Sequence, residues 1–213
     1  MSLALTLLII IRMAATTSSG CDWKTELPTL IGRIVTLREP APQDAGALLD
    51  VLSVSDAVRF GLSPPLGEDE VRDLIDRACE SRKAGVGFTY AVTTSPAHPV
   101  VGLIQVRQLD VTFETAEAEC MIAPSARGTG AFMESARLAG SFAFDTVGVH
   151  RIEARVEMQN GRANGALRKL GAVQEGILRR SLRRGHEHFD QVLWAVLRED
   201  WGDRWVSTVP RVH

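Results

Sequence analysis

The stretch that most limits how this chain can fold is "SARGTGAF" at 125–132, preceded by Pro124. It sits between two segments of different period. Before it, "TAEAECMIA" (115–123) alternates, with Glu117, Glu119 and Met121 on one face and Ala116, Ala118, Cys120 and Ile122 on the other. That is a half-buried strand. After it, 130–146 has Phe132, Ala136, Ala139 and Ala143 at helical spacing, with Leu138 and Phe142 beside them. The predicted helix is apolar over most of its girth and small on one side, so it packs closely on a sheet, and Gly148 ends it. A strand, a glycine turn and a helix in succession set free N–H groups and partial positive charge beside the strand end. Sheets of this kind place ligands there. From these residues two readings stay open: a cradle for a phosphate with Arg127 at its threshold, or a tight turn with no ligand.

The rest of the chain supplies matching elements. "TLIGRIVTLRE" (29–39) predicts a strand, ended by Pro40 and Pro42. Residues 43–54 and 66–85 predict helices. The second opens with acids, closes with Arg82 and Lys83 and stops at Gly85, as the helix dipole favours. "RFGLSPP" between them reads as a loop. "GFTYAVTT" (87–94) and "PVVGLIQVRQL" (99–109), split by "SPAH", predict a hairpin to which 115–123 adds a third strand. "RIEARVEM" (151–158) is a strand, "GRANGALRKLG" (161–171) a short helix, and two closing strands run through 172–200 around Gly185. The order is α/β with a mixed sheet, one domain over about 22–205 and a tail over 206–213.

The net charge of −2 provides no basic field, so a general nucleic-acid binder is disfavoured. Cys21, Cys79 and Cys120 are odd in number and scattered, with neither metal spacing nor a disulfide framework. His186 and His188 lack a third ligand nearby, so no metal is expected. "LALTLLIII" (3–11) is too short to span a bilayer as a helix, and no basic segment precedes it. Residues 1–21 therefore read as a mis-assigned start or a flexible extension, and the protein as cytoplasmic with no membrane partner. A cleaved signal sequence is the other reading of that segment.

Several motifs taken together resemble one family. "IAPSARGTGAF" resembles the acyl-CoA signature Q/R-x-x-G-x-G/A of the Gcn5-related N-acetyltransferases (GNAT), with Arg127, Gly130 and Phe132 at its fixed places. "VEMQNGRANGALRKLGAV" is similar to that family's second signature, and "GRIVTLREPAPQDAGALL" to its first strand and helix. "TAEAECMI" resembles the "AEIGYWL" strand of its RimJ/RimL-like branch. The resemblance covers positions 29 to about 200 and implies a single domain. Its mixed, mostly antiparallel sheet is splayed in the middle, with helices on both faces. Acetyl-CoA would enter the gap between "AECMI" and "RIEARV". Its diphosphate would rest on main-chain N–H groups of Arg127, Gly128, Thr129, Gly130, Ala131 and Phe132. The pantetheine arm would pair with the strand near Cys120 and Ile122, and Asn160 and Asn164 would face that arm.

The implied reaction moves an acetyl group from acetyl-CoA to a primary amine, a protein N-terminus or a small molecule, by direct attack. The amine must lose a proton. The resemblance points to Glu117 as the base, with Glu119 second: it stands where the family strand has Gly. A main-chain N–H near Cys120 or Ile122 would stabilise the oxyanion. Tyr90 is the only tyrosine and lies in an earlier strand, so a tyrosine acid is not expected. The absent tyrosine, and Phe132 where relatives carry a small residue, keep a second reading open: a silent acyl-CoA-binding domain that senses or scaffolds. "LRRSLRR" (178–184) reads as a charge-guarded edge strand or a phosphate contact. The pattern also allows a homodimer through the last strands.

Overall fold

Gly32 and its neighbours turn the single strand predicted over 29–39 into a hairpin. β1 (Leu30–Ile31) pairs antiparallel with β2 (Thr36–Arg38), Leu30 opposite Leu37. The turn is held from far away. The N–H groups of Arg33, Ile34 and Val35 donate to the Glu134 carboxylate at 2.8, 2.6 and 2.8 Å, across about a hundred residues of chain. No local pattern could signal that anchor.

The computed structural model describes residues 22–53, 67–94 and 99–203. The expected N-terminal extension with Cys21, the "RFGLSPP" loop, the "SPAH" connection, the last two residues of the expected domain (204–205) and the C-terminal tail lie outside the described residues. After a 3₁₀ turn at Pro42–Asp44, α1 runs over Ala45–Leu52. Asp44 takes two bonds of 2.7 Å from the Arg38 guanidinium and one of 2.8 Å from the Ala41 N–H. α2 (Glu68–Ala84) has the predicted polarity, with Glu68, Asp69 and Glu70 in its first turn and Arg82 and Lys83 in its last.

β3 (Gly87–Thr93), β4 (Val100–Gln108) and β5 (Thr115–Ile122) form the predicted meander. α3 (Ala131–Phe142) follows, closing through a π turn at Ala143–Val147. Then come β6 (Arg151–Glu157), α4 (Gly161–Leu170), β7 (Val173–Arg184) and β8 (Glu187–Leu197). The last predicted strand stops three residues early, and Arg198–Asp203 form a short helix, α5. Arg198 donates to the main-chain oxygens of Phe144 and Val149, which turns the chain off the sheet. Trp201 then stacks near Phe144, with ring centroids 5.4 Å apart.

The eight strands make one sheet in the order β1-β2-β3-β4-β5-β6-β8-β7. Every neighbouring pair is antiparallel except β5–β6. Apolar side chains bury on both faces, the main stabilising contribution. On one face Phe88, Tyr90, Phe142 and Phe144 pack around α3. On the other, Leu48, Leu52, Val71 and Ile75 of α1 and α2 cover Leu103 and Val100.

Candidate active site

β5 and β6 are parallel for only three register pairs: Thr115 with Arg151, Ala116 with Ile152, and Glu117 with Glu153. Beyond Glu117 the two strands part, while β5 stays paired with β4 to Ile122. Ladder alternation decides which main-chain groups face the gap. Thr115 O accepts from Leu109 N and Ala123 N donates to Val101 O, so the odd residues of β5 point toward β4. The N–H and C=O groups of Ala118, Cys120 and Ile122 therefore point into the opening. A cleft of about 940 Å³ fills it, lined by Glu119, Cys120, Ile122, Arg155, Gly128 and Phe132 among others.

The glycine turn closes one end. Gly128 and Gly130 adopt φ of +78° and +96°, the left-handed region that glycine enters without a Cβ clash. A side chain added at Gly128 would meet nothing within 4 Å, so this glycine serves backbone shape and leaves open space before α3. Arg127 Nε donates to Ile122 O at 3.2 Å, tying the turn to the strand end. The Thr129 hydroxyl donates to Ala126 O at 2.7 Å and accepts from Ala131 N, so it stiffens the turn from within. Ala131 is fully buried against the core. Phe132 and Met133 reach the cleft wall. An open gap, inward-facing strand amides and a glycine-cleared helix start fit an elongated ligand with amides and a diphosphate.

The two asparagines do different things. Asn160 caps α4, its Oδ1 accepting from Ala163 N at 3.1 Å, and it lines the cleft. Asn164 turns inward instead of facing the gap. Its Nδ2 donates to the main-chain oxygens of Glu157 and Asn160, and its Oδ1 accepts from Trp194 Nε1 at 2.8 Å. The expectation of a shared helical face overlooked these nearby carbonyls, which use up the amide.

The carboxylates also diverge. Glu117 is 4% exposed and does not reach the cleft. Its Oε2 accepts from Arg107 of β4, and its Oε1 lies 3.6 Å from Arg155 Nε of β6. Glu119, two residues on and on the same face, is exposed and opens onto the cleft. Partial desolvation between the cleft walls raises its carboxyl above the ordinary range; the charge of Glu117 adds to the rise and Arg107 opposes it. Across β6 the same face carries Glu153 beside Arg151 (3.1 Å) and the 4%-exposed Glu157, paired with Arg184.

Cys120 points its thiol into the α3 core, where burial pushes it up to about 12. Tyr90 is wholly buried, its hydroxyl donating to Pro28 O at 3.0 Å, and burial raises it further from ionisation. His150 lies 3.8 Å from Glu199 at the surface. Among the described residues no group of three or more His, Cys, Asp or Glu is placed to hold a metal ion. No described helix is long and apolar enough to cross a membrane. Sequence reasoning passed over Gln105, Arg107, Arg155 and Trp194. The β4–β5 register places Arg107 opposite Glu117 and Gln105 opposite Glu119, so an explicit alignment of that hairpin would have found the first two.

The sequence profile of the acetyltransferase (GNAT) domain family matches residues 35–173. N-acetyltransferase p20 of Bacillus licheniformis is 22% identical over 176 residues, covering 82% of this chain and 99% of that protein. The ribosomal-protein-S5-alanine acetyltransferase of Vibrio fischeri superposes with a TM-score of 0.73 at 16% identity, over 82% of this chain and 98% of its own. The microcin C7 self-immunity acetyltransferase MccE, solved with acetyl-CoA and AMP, superposes with a TM-score of 0.70 at 14% identity, over 78% and 93%. With the parted strands, the glycine-cleared helix start and a family match across most of the described fold, the chain belongs to the GNAT family of acetyl-CoA-dependent acetyltransferases.

Proposed function

We propose that this chain acetylates a primary amine, on a protein N-terminus or a small molecule, by direct attack, with Glu119 as the general base. The observation that carries the assignment is the contrast on β5: Glu117 is tied into two ion pairs away from the cleft, while Glu119 opens into it with a raised proton affinity. A carboxyl so raised is better matched to taking a proton from an ammonium near neutral pH. When bound, acetyl-CoA supplies the activated acyl group as a thioester. The N–H of Cys120 or Ile122, facing the gap, is placed to donate to developing negative charge. Main-chain N–H groups of Gly128, Thr129, Gly130 and Phe132 hold the diphosphate, those of Arg127 and Ala131 being taken by Pro124 O and the Thr129 hydroxyl, and Asn160 borders the arm. MccE's bound acetyl-CoA, in a chain of similar fold, supports this placement.

The test is acetyl-CoA turnover against a panel of amines, followed by free-thiol release. Glu119→Gln should lower kcat/KM about 10²- to 10⁴-fold with little change in acetyl-CoA affinity. Undiminished turnover would remove Glu119 from the role. Tight acetyl-CoA binding with no thiol release for any amine would instead make the chain a binding domain.

A further inference from the structure

We propose that Glu117 is a positioning residue: clamped between Arg107 of β4 and Arg155 of β6, it fixes where β5 and β6 part, and its charge acts on Glu119. The second half rests on Glu119 being the base.

Glu117 and Glu153 are the last register pair between the two strands. Past this point no β5–β6 ladder holds the sheet together. At the same place a buried carboxylate bridges a guanidinium from each flanking strand, Arg107 opposite it on β4 and Arg155 one pleat further along β6. Arg155 in turn lies 3.5 Å from Glu153, whose other side meets Arg151, and Arg151 continues to Glu175 on β7 at 2.7 Å. Alternating charges thus run across four strands at the apex of the gap. A buried carboxylate is tolerated only if paired, so each partner restrains the other two. The brace takes over where the main-chain ladder stops.

The same geometry bears on Glu119. From β4 it is faced by Arg107 and the neutral Gln105, from β5 by Glu117, and from β6 by Arg155 and Glu157, the latter neutralised by Arg184 of β7. α1 and α2 contribute Val51, Leu52 and Leu74 to the cleft wall, and no charged side chain among their described residues. Replacing Glu117 by glutamine removes a negative charge and releases Arg107, and both changes favour the ionised form of Glu119. Replacing Arg107 does the reverse. A purely structural role predicts no such opposition of sign.

The experiment compares Glu117→Gln, Arg107→Gln and Arg155→Gln in the full chain, reading acetyl-CoA affinity by calorimetry and the acid limb of the kcat/KM pH profile. Glu117→Gln and Arg155→Gln should each weaken acetyl-CoA binding several-fold as the gap loosens. Unchanged affinity in both overturns the brace. Glu117→Gln should move the acid limb to lower pH, and Arg107→Gln, at a half-exposed site that tolerates change, to higher pH, each by about half a unit or more. Shifts of the same sign, or none, overturn the electrostatic half. If Glu119→Gln retains the wild-type acid limb, the base assignment falls, and the affinity readout still judges the brace by itself.

Discussion

The indole N–H of Trp194 on β8 donates to Asn164 Oδ1 on α4 at 2.8 Å, and the same amide closes the turn between β6 and α4 through Glu157 O and Asn160 O. One side chain therefore joins a helix to two strands where the cleft wall forms. Asn164→Ala should leave a buried indole N–H unmet, while Glu157 O and Asn160 O keep the main-chain N–H groups of Asn160 and Asn164, at roughly 1–3 kcal/mol of stability. Trp194→Phe removes the same donor and also leaves part of a buried ring site empty, so it should cost more, by the added cavity term. Thermal and chemical denaturation of both variants checks the order.

Glu134 gathers three main-chain N–H groups of the β1–β2 turn. Burial acts to raise its carboxyl, but these donors and the Arg33 charge outweigh it, so its pKa lies below the ordinary value. A folded-state value that is depressed contributes stability above the ordinary carboxylate range and loses it as pH falls through the depressed value. Glu134→Gln should therefore cost roughly 2 kcal/mol at neutral pH. The gap from wild type should narrow on acidification below about pH 4.5, the unfolded value of the group. A gap that stays constant with pH would count against the carboxylate's part.

Gly128 has φ of +78° with open space around it. An alanine there meets no atom, so its whole penalty is backbone strain of roughly 1–2 kcal/mol. If the turn relaxes to relieve that strain, its N–H groups move off the diphosphate position. Gly128→Ala should then weaken acetyl-CoA binding by more than Asn160→Ala does, as measured by titration calorimetry.

Cys120 faces the core, and its thiol stays protonated near neutral pH because burial pushes it up to about 12. Alkylation at pH 8 should run about a thousandfold slower than at a free thiol of ordinary pKa, from the smaller thiolate fraction alone. Cys120→Ala should retain most activity, consistent with direct attack and no acyl-cysteine. Site-resolved mass spectrometry and steady-state rates check both. Loss of activity with an intact fold would bring the thiol back into the chemistry.

Much of this molecule was legible along the chain because it depends on local periods. The alternation of 115–122 assigned Glu117 and Glu119 to one face and Cys120 and Ile122 to the other, and the β4–β5 ladder keeps that parity without a bulge. Gly85, Gly148 and Gly171 end their helices in left-handed conformation where the patterns stop. The hairpin at Gly32 and the helix at Arg198–Asp203 were not legible, since each is held by a partner about fifty to a hundred residues away.

The site divides the same way. A strand, two glycines and an apolar helix suffice to specify the turn beside the gap, because backbone freedom and helix polarity are properties of those residues alone. Which carboxylate meets the cleft, and which amide is used up inside, depends on neighbours brought in by strand register. Arg107 and Arg155 claim Glu117, and Trp194 claims Asn164, only once β4, β6 and β8 lie alongside. Charge pairing and hydrogen bonding act over a few ångströms in space, whatever the distance along the chain, so folding alone makes those choices.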